Sequence, residues 1–117
     1  RSVAEAHGAA LTLADRPGQY DLIAAADVLV YLGDLEPVIA AARRALKAGG
    51  HFAFTVERAD TATSYVLGPK QRYAHAPAYI RTIAAPQGFT TALMDNVVPR
   101  RDGGQDVPGL AVVLTAV

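Results

Sequence analysis

The chain has 117 residues, of which 51% are hydrophobic and 19% charged, and its eleven basic side chains balance eleven acidic ones. This length and composition predict one globular domain and exclude a disordered chain. The zero net charge provides no basic surface for nucleic acid or acidic membranes, no apolar run reaches the length of a membrane span, and the absence of cysteine excludes disulfides and thiolate metal sites.

The first nineteen residues give the weakest structural signal. Residues 1–14 predict a short helix bent near Gly8, although Leu11 and Leu13 also suit the start of a strand. Residues 15–19 have the composition of a turn. Because the chain begins at Arg1 with neither an initiator Met nor the apolar core of a signal peptide, we expect a processed protein or a piece of a longer one.

Residues 20–57 predict a βαβ unit. An apolar run at residues 22–26, bounded by turn signals, is typical of a strand covered on both faces. A helix follows, with Asp34 as its N-cap and Gly49-Gly50 as its left-handed end. Its apolar stripe consists of Leu35, Ile39, Ala42 and Leu46. Residues 51–57 alternate large apolar with smaller side chains, which predicts the second strand.

The second half of the chain predicts a loop, a helix and a hairpin. Residues 58–75 are polar and predict a long loop of the kind that often carries function. A helix begins at Pro77 and ends before Pro86 and Gly88. Strands at residues 89–98 and 110–117 flank a glycine-rich connection. The element order therefore predicts an α/β fold, with a parallel pair of strands closed by an antiparallel hairpin strand.

Two segments of this chain resemble class I S-adenosylmethionine-dependent methyltransferases. The segment YDLIAAADVLVYLGDL resembles the fourth strand of that family and the loop after it, and ALKAGGHFAFTVE resembles the next turn and the fifth strand. The tail from RYAHAPAYIR to VPGLAVVL is similar to methyltransferases attached to tetratricopeptide repeats. The resemblance implies a Rossmann-like sheet in the order 3-2-1-4-5-7-6, with only the last strand antiparallel.

The sequence also departs from this family. The glycine-rich turn after the first strand of the family is absent, and so is the acidic residue that ends its second strand. We therefore expect residues 1–117 to form only the C-terminal half of a methyltransferase domain, with strands one to three of the family lying before Arg1.

The resemblance assigns site residues to the edge where open parallel sheets bind their ligands. The cofactor S-adenosylmethionine would contact the residues that follow the fourth strand, namely Ala25, Ala26, Asp27, Val28 and Leu29. The acceptor substrate would contact Tyr31, Tyr73 and His75. Asp27 and His75 are the candidate catalytic residues, and the chemistry requires no metal.

Each of these residues also has a structural interpretation. Asp27 either orients the cofactor amino group or accepts a proton, or it is a strand-end carboxylate bonded to nearby backbone N–H groups. Tyr31 either contacts the acceptor or packs as an amphipathic side chain. His75 is either a base near neutral pH or the residue that leads into the helix at Pro77.

We therefore expect methyl transfer to an unidentified acceptor in a cytoplasmic protein, with no nucleic-acid or membrane partner. A non-catalytic α/β interaction module is the main alternative, and half of a nicotinamide-dependent dehydrogenase is a third. An isolated half-domain would expose the edge of its first strand and form a homodimer through it.

Overall fold

The structure is a computed structural model that describes residues 3–5, 18–25, 29–60 and 64–117. Within these ranges one mixed sheet of seven strands packs against two α-helices. The strands are β1 (Val3–Glu5), β2 (Tyr20–Ala25), β3 (Leu46–Arg58), β4 (Tyr65–Leu67), β5 (Tyr73–His75), β6 (Phe89–Asp102) and β7 (Gln105–Ala116). The helices are α1 (Glu36–Ala45) and α2 (Pro77–Ala84).

The strand order confirms the predicted α/β class. β1, β2 and β3 are parallel neighbours, β7 runs antiparallel to β3, and β6 pairs with β7 at the outside of the sheet. The order β2-β3-β7-β6 with β7 reversed matches the order 4-5-7-6 implied by the family resemblance. At the carboxyl end of β3, β5 takes a place beside Glu57 and Arg58, and β4 pairs with β5.

The βαβ unit forms as predicted except at the helix ends. The predicted apolar stripe is buried. Asp34 lies one residue before the N-cap position, and its Oδ1 accepts a hydrogen bond from the N–H of Glu36 at 3.0 Å. The helix ends at Ala45, whereas Gly49-Gly50 was expected to end it. The N–H of Gln19 donates to the Ala45 carbonyl at 2.9 Å, and Gly49, with φ of +82°, turns the chain within β3.

Four further expectations were wrong. Val3–Glu5 is a strand rather than part of a helix, and it pairs with the edge of β2 that was expected to be exposed. The predicted loop at residues 58–75 contains the β4–β5 hairpin. The hairpin ladder of β6 and β7 continues to Asp102 and Gln105, so the glycine-rich connection is mostly strand around the turn at Gly103–Gly104.

The helices cover one face of the sheet. The alternate residues of β3 and β7 that face α1 and α2 are buried, among them Phe52, Phe54, Val112 and Leu114. Their neighbours on the opposite face, such as Ala53 and Val113, remain partly exposed. None of the helices in the described ranges is long and apolar enough to cross a membrane.

Candidate functional site

The loop after β2 lies at the carboxyl end of the parallel strands. A single 3₁₀ turn at Leu29–Tyr31 leads towards α1, and its first two residues are buried. Ala25, at the end of β2, and Leu29 both belong to the hydrophobic core. Tyr31 points outward, with 57% of its surface exposed. Three predicted cofactor-contacting residues, Ala26, Asp27 and Val28, lie outside the described residues.

His75 attaches the β4–β5 hairpin to this loop. The imidazole is fully buried, and its Nε2 lies 2.9 Å from the carbonyl oxygen of Leu32 and 3.1 Å from that of Gly33. Because both partners only accept, Nε2 carries the proton and donates. Nδ1 is buried and has no hydrogen-bond partner among the described residues. Burial lowers the pKa of His75, against the smaller opposing effects of the two carbonyls and of Glu57, so the imidazole is neutral near pH 7.

Two tyrosines pack against His75, and a third packs against one of them. The ring of Tyr79 stacks on the imidazole at 6.2 Å between centroids, and Tyr65 lies 6.0 Å away on the hairpin. Tyr65 also packs edge-on against Tyr73 at 5.9 Å. Gly33 fits into this aromatic cluster only because it lacks a side chain: a Cβ there would lie 2.5 Å from Tyr65 Cε1 and 2.9 Å from Tyr73 Cε1.

The start of α1 is bonded to the same cluster. The hydroxyl of Tyr79 accepts the N–H of Leu35 at 3.1 Å and donates to Asp34 Oδ1 at 3.3 Å. Burial, together with the negative charge of Asp34, raises the pKa of Tyr79, although the bond from Leu35 acts in the opposite direction. Tyr79 is therefore a neutral hydroxyl that joins α2 to the beginning of α1.

An ion pair lies at the outer side of the loop. Arg72 Nε donates to Glu57 Oε2 at 2.5 Å, and the two side chains are only 11% and 15% exposed. Arg72 Nη1 donates to the hydroxyl of Tyr31 at 3.1 Å, and the guanidinium carbon lies 5.4 Å from the centre of the Tyr31 ring. Tyr31 is therefore positioned by a cation–π contact and a hydrogen bond.

The structure thus brings the three predicted acceptor residues to one end of the sheet, where Tyr31 and the Tyr73–His75 strand border the same loop. Four further residues of this site were not predicted from the sequence, namely Gly33, Tyr65, Arg72 and Tyr79. Arg72 had no detectable signal, because its partners Glu57 and Tyr31 are distant in sequence. No group of three potential metal-binding side chains occurs among the residues that the structure describes.

Comparison with known proteins gives a match over the first part of the chain. Residues 2–54 match the family described as a methyltransferase domain, and this match runs through β2, α1 and most of β3. A search of curated proteins gave no match.

Several solved structures share the fold. A SAM-dependent methyltransferase from Methanosarcina mazei is 12% identical, with a TM-score of 0.68 over 87% of this chain and 61% of that one. An S-adenosylmethionine-dependent methyltransferase from Mesorhizobium loti is 16% identical, with a TM-score of 0.62 over 88% of this chain and 66% of that one.

A third structure contains ligands. The 1,6-didemethyltoxoflavin-N1-methyltransferase from Burkholderia thailandensis, solved with 1,6-didemethyltoxoflavin and S-adenosylhomocysteine, is 14% identical, with a TM-score of 0.67 over 90% of this chain and 48% of that one. This chain therefore spans between about half and two thirds of these proteins.

These findings confirm the resemblance to class I S-adenosylmethionine-dependent methyltransferases. The fold is that of class I S-adenosylmethionine-dependent methyltransferases, and the part of the chain that carries β2, α1 and most of β3 matches their domain family.

Proposed function

We propose that this chain forms the acceptor side of a site for S-adenosylmethionine-dependent methyl transfer. The observation that carries this proposal is the family match over residues 2–54, which covers the strand, loop and helix that border the site. The similarity to a structure with bound S-adenosylhomocysteine supports the cofactor assignment. The cofactor would supply an electrophilic methyl group for an in-line displacement by the acceptor atom.

The described residues fit only part of this cofactor. Ala25 is small and Leu29 is apolar, but both belong to the buried core, so they would form the wall behind an apolar methyl slot rather than contact the methyl group. The glycine-rich turn and the ribose-binding carboxylate of the family have no counterpart in the sequence. Asp27 keeps its two interpretations as a cofactor-orienting carboxylate and as a strand-end residue.

On this proposal the acceptor approaches from the side of Tyr31 and Tyr73, and Arg72 holds the Tyr31 ring at that side. His75 fits a positioning role better than that of a general base. Its Nε2 proton is shared by two backbone carbonyls, and no part of the ring is exposed to solvent. It would act by fixing the loop that shapes the methyl slot.

Titration of the ¹⁵N-labelled chain with S-adenosylhomocysteine tests the proposal. We expect millimolar binding that shifts the amide resonances of Ala25 and Leu29–Gly33. Adenosine is the control, because it shares the adenine and ribose but lacks the amino-acid part expected to contact this loop. Equal shifts with adenosine, or no shift with either compound, would contradict the methyltransferase proposal. Micromolar binding by calorimetry would contradict the proposed half-site.

A non-catalytic interaction module is the second candidate function. The observation that favours it is the uncovered sheet face, where a shallow apolar depression of about 260 Å³ is lined by Ala24, Ala53, Ala111, Val113 and their neighbours. Concentration-dependent sedimentation of the chain without cofactor would favour this candidate. A homodimer belongs to this second candidate, whereas a cytoplasmic location and the tetratricopeptide-repeat association belong to the methyltransferase proposal. Cell fractionation tests the location.

A further inference from the structure

A second cleft lies between the carboxyl end of β3 and the β6–β7 hairpin, and it shares no lining residue with the proposed methyl-transfer site, although Arg58 is the ladder partner of His75. It has a volume of about 500 Å³, which is within the roughly 300–1,000 Å³ typical of small-molecule sites. Its lining consists of Arg58, Asp60, Asn96, Val97, Val98, Pro108 and Gly109. None of these residues has a role in the proposed function.

A β-bulge accompanies this cleft. Val97 pairs with Gly109 and Arg100 with Val107, so two residues of β6 oppose only Pro108 on β7. A bulge bends its strand and interrupts the ladder, and such bulges are frequent beside functional sites. Proline also lacks a backbone N–H to donate at this position. The bulge therefore keeps the two strands from pairing regularly where the cleft lies.

The polar end of the cleft is a positioned guanidinium. Arg58 Nη1 donates to Asn96 Oδ1 on the neighbouring hairpin. Arg58 Nε lies 2.6 Å from Asp60 Oδ1, but the angle is unsuitable for a hydrogen bond, and this buried nitrogen has no hydrogen-bond partner in the described structure. The Asp60 side chain is 61% exposed, so another carboxylate can replace it at little cost in desolvation.

The opposite wall of the cleft is apolar. Val97, Val98 and Pro108 contribute hydrocarbon surface, and Val98 is 55% exposed although it is a large aliphatic residue. This cleft has a guanidinium at its polar end and hydrocarbon along its wall. A molecule complementary to it has an anionic group at one end and an apolar body. A planar carboxylate is the group that matches a guanidinium best.

We propose that this cleft binds a small organic acid with an apolar body. The ligand carboxylate accepts hydrogen bonds from Arg58 and takes the place of Asp60, while the apolar body packs on Val98 and Pro108. Asp60 thus acts as an internal competitor for the site. This proposal does not depend on methyl transfer, because binding of the acid needs no cofactor.

Phenylacetate and its neutral isostere phenylacetamide are suitable probes, added to the ¹⁵N-labelled chain. We expect phenylacetate to give saturable shifts at Asn96, Val97, Val98 and Gly109, and phenylacetamide to bind at least about tenfold more weakly. Two variants alter the two members of the ion pair in turn. Arg58→Gln removes the guanidinium and should weaken phenylacetate binding about tenfold or more, whereas Asp60→Asn removes the competitor and should tighten it.

The opposite signs of these two effects separate binding from loss of structure, because a damaged fold cannot explain the gain in Asp60→Asn. Arg101→Gln is the control, since Arg101 forms a similar ion pair with Asp106 on the same hairpin but outside the cleft. It should leave the affinity unchanged. Equal binding of the two probes, a loss of affinity in Asp60→Asn, or the absence of saturable shifts at the cleft would overturn the proposal.

Discussion

At the scale of single residues, Gly33 and His75 determine how the loop after β2 is held. Gly33 provides space for two tyrosine rings, and His75 donates to two consecutive carbonyls of the loop. Both lie in segments that carry the family resemblance, but Gly33 was given no site role there and His75 was predicted as an acceptor contact and candidate base. Their importance arises from the residues that the fold brings next to them.

Gly33→Ala should therefore destabilise the chain. Gly33 does not have a positive φ, so the effect comes from the clash of the new Cβ with Tyr65 rather than from backbone strain. We expect a loss of about 1–3 kcal/mol, measured by urea denaturation. In the double variant with Tyr65→Ala, the added methyl group should cost less than it does alone. Equal costs in both backgrounds would show that this contact is not the cause.

His75 predicts a pH dependence of stability. Its pKa is lowered in the folded chain, so the unfolded chain binds the proton more tightly, and stability falls as the pH drops below the ordinary value of 6.5 towards the folded pKa. The slope from this group is at most about 1.4 kcal/mol per pH unit. Stability measured above the range of the carboxylates should depend less on pH in His75→Gln. An unchanged slope in this variant would contradict a buried neutral imidazole.

At the scale of elements, the β4–β5 hairpin is the feature that positions the aromatic cluster. Its two strands have three residues each, and β5 continues the sheet beside the last two residues of β3. The turn between them contains two consecutive non-glycine residues with positive φ, Lys70 at 61° and Gln71 at 60°. Such a conformation costs about 1–2 kcal/mol for each residue with a side chain.

Gln71→Gly should stabilise the chain. Glycine removes the strain at φ of +60°, and this gain exceeds the roughly 0.5–1 kcal/mol that glycine costs through the entropy of the unfolded chain. The expected net gain is up to about 1 kcal/mol in thermal or urea unfolding. Gln105→Gly is the matched control, because Gln105 is exposed at negative φ and only the entropic cost applies. A loss of stability in both variants would refute the strain argument.

At the scale of the whole molecule, the sheet has one covered face and two differently protected edges. On one side the edge strand is β1, which pairs with β2 through only three residues. On the other, the outer edge of β6 carries two irregularities in its pairing with β7, and proline occurs at position 99. Bulges and proline discourage pairing with another strand. A homodimer through the first edge stays a prediction.

Two neighbouring residues of β7 test which face is covered. Val112 is 1% exposed beneath the helices, whereas Val113 lies on the open face. Val112→Asp should cost roughly 4 kcal/mol or more, because it buries a carboxylate without a partner. Val113→Asp should cost only about 1 kcal/mol, through reduced strand propensity. Circular dichroism with urea denaturation measures both, and equal destabilisation would mean that the open face is covered in solution.

The sequence by itself determined the elements with strong local periodicity. The apolar stripe of α1 repeats over several helical turns, and the alternation in the second half of β3 repeats over several residues. Both patterns can be recognised without knowing what they pack against, and the burial of their side chains confirms them. It also predicted Pro77 as the start of α2. The end of α1 was misplaced because its terminal carbonyls are satisfied by Gly18 and Gln19, which the local sequence does not reveal.

Only the tertiary structure decided how the candidate site is assembled. Tyr31 and Arg72 are 41 residues apart in the sequence, and His75 is 43 residues from Leu32, whose carbonyl it contacts. No local sequence pattern encodes contacts between residues so far apart in the chain. β4 and β5 were missed for the same reason, since strands of three residues depend on a neighbouring edge rather than on their own periodicity. The sequence determined where the loop after β2 lies, and long-range packing determined what holds it there.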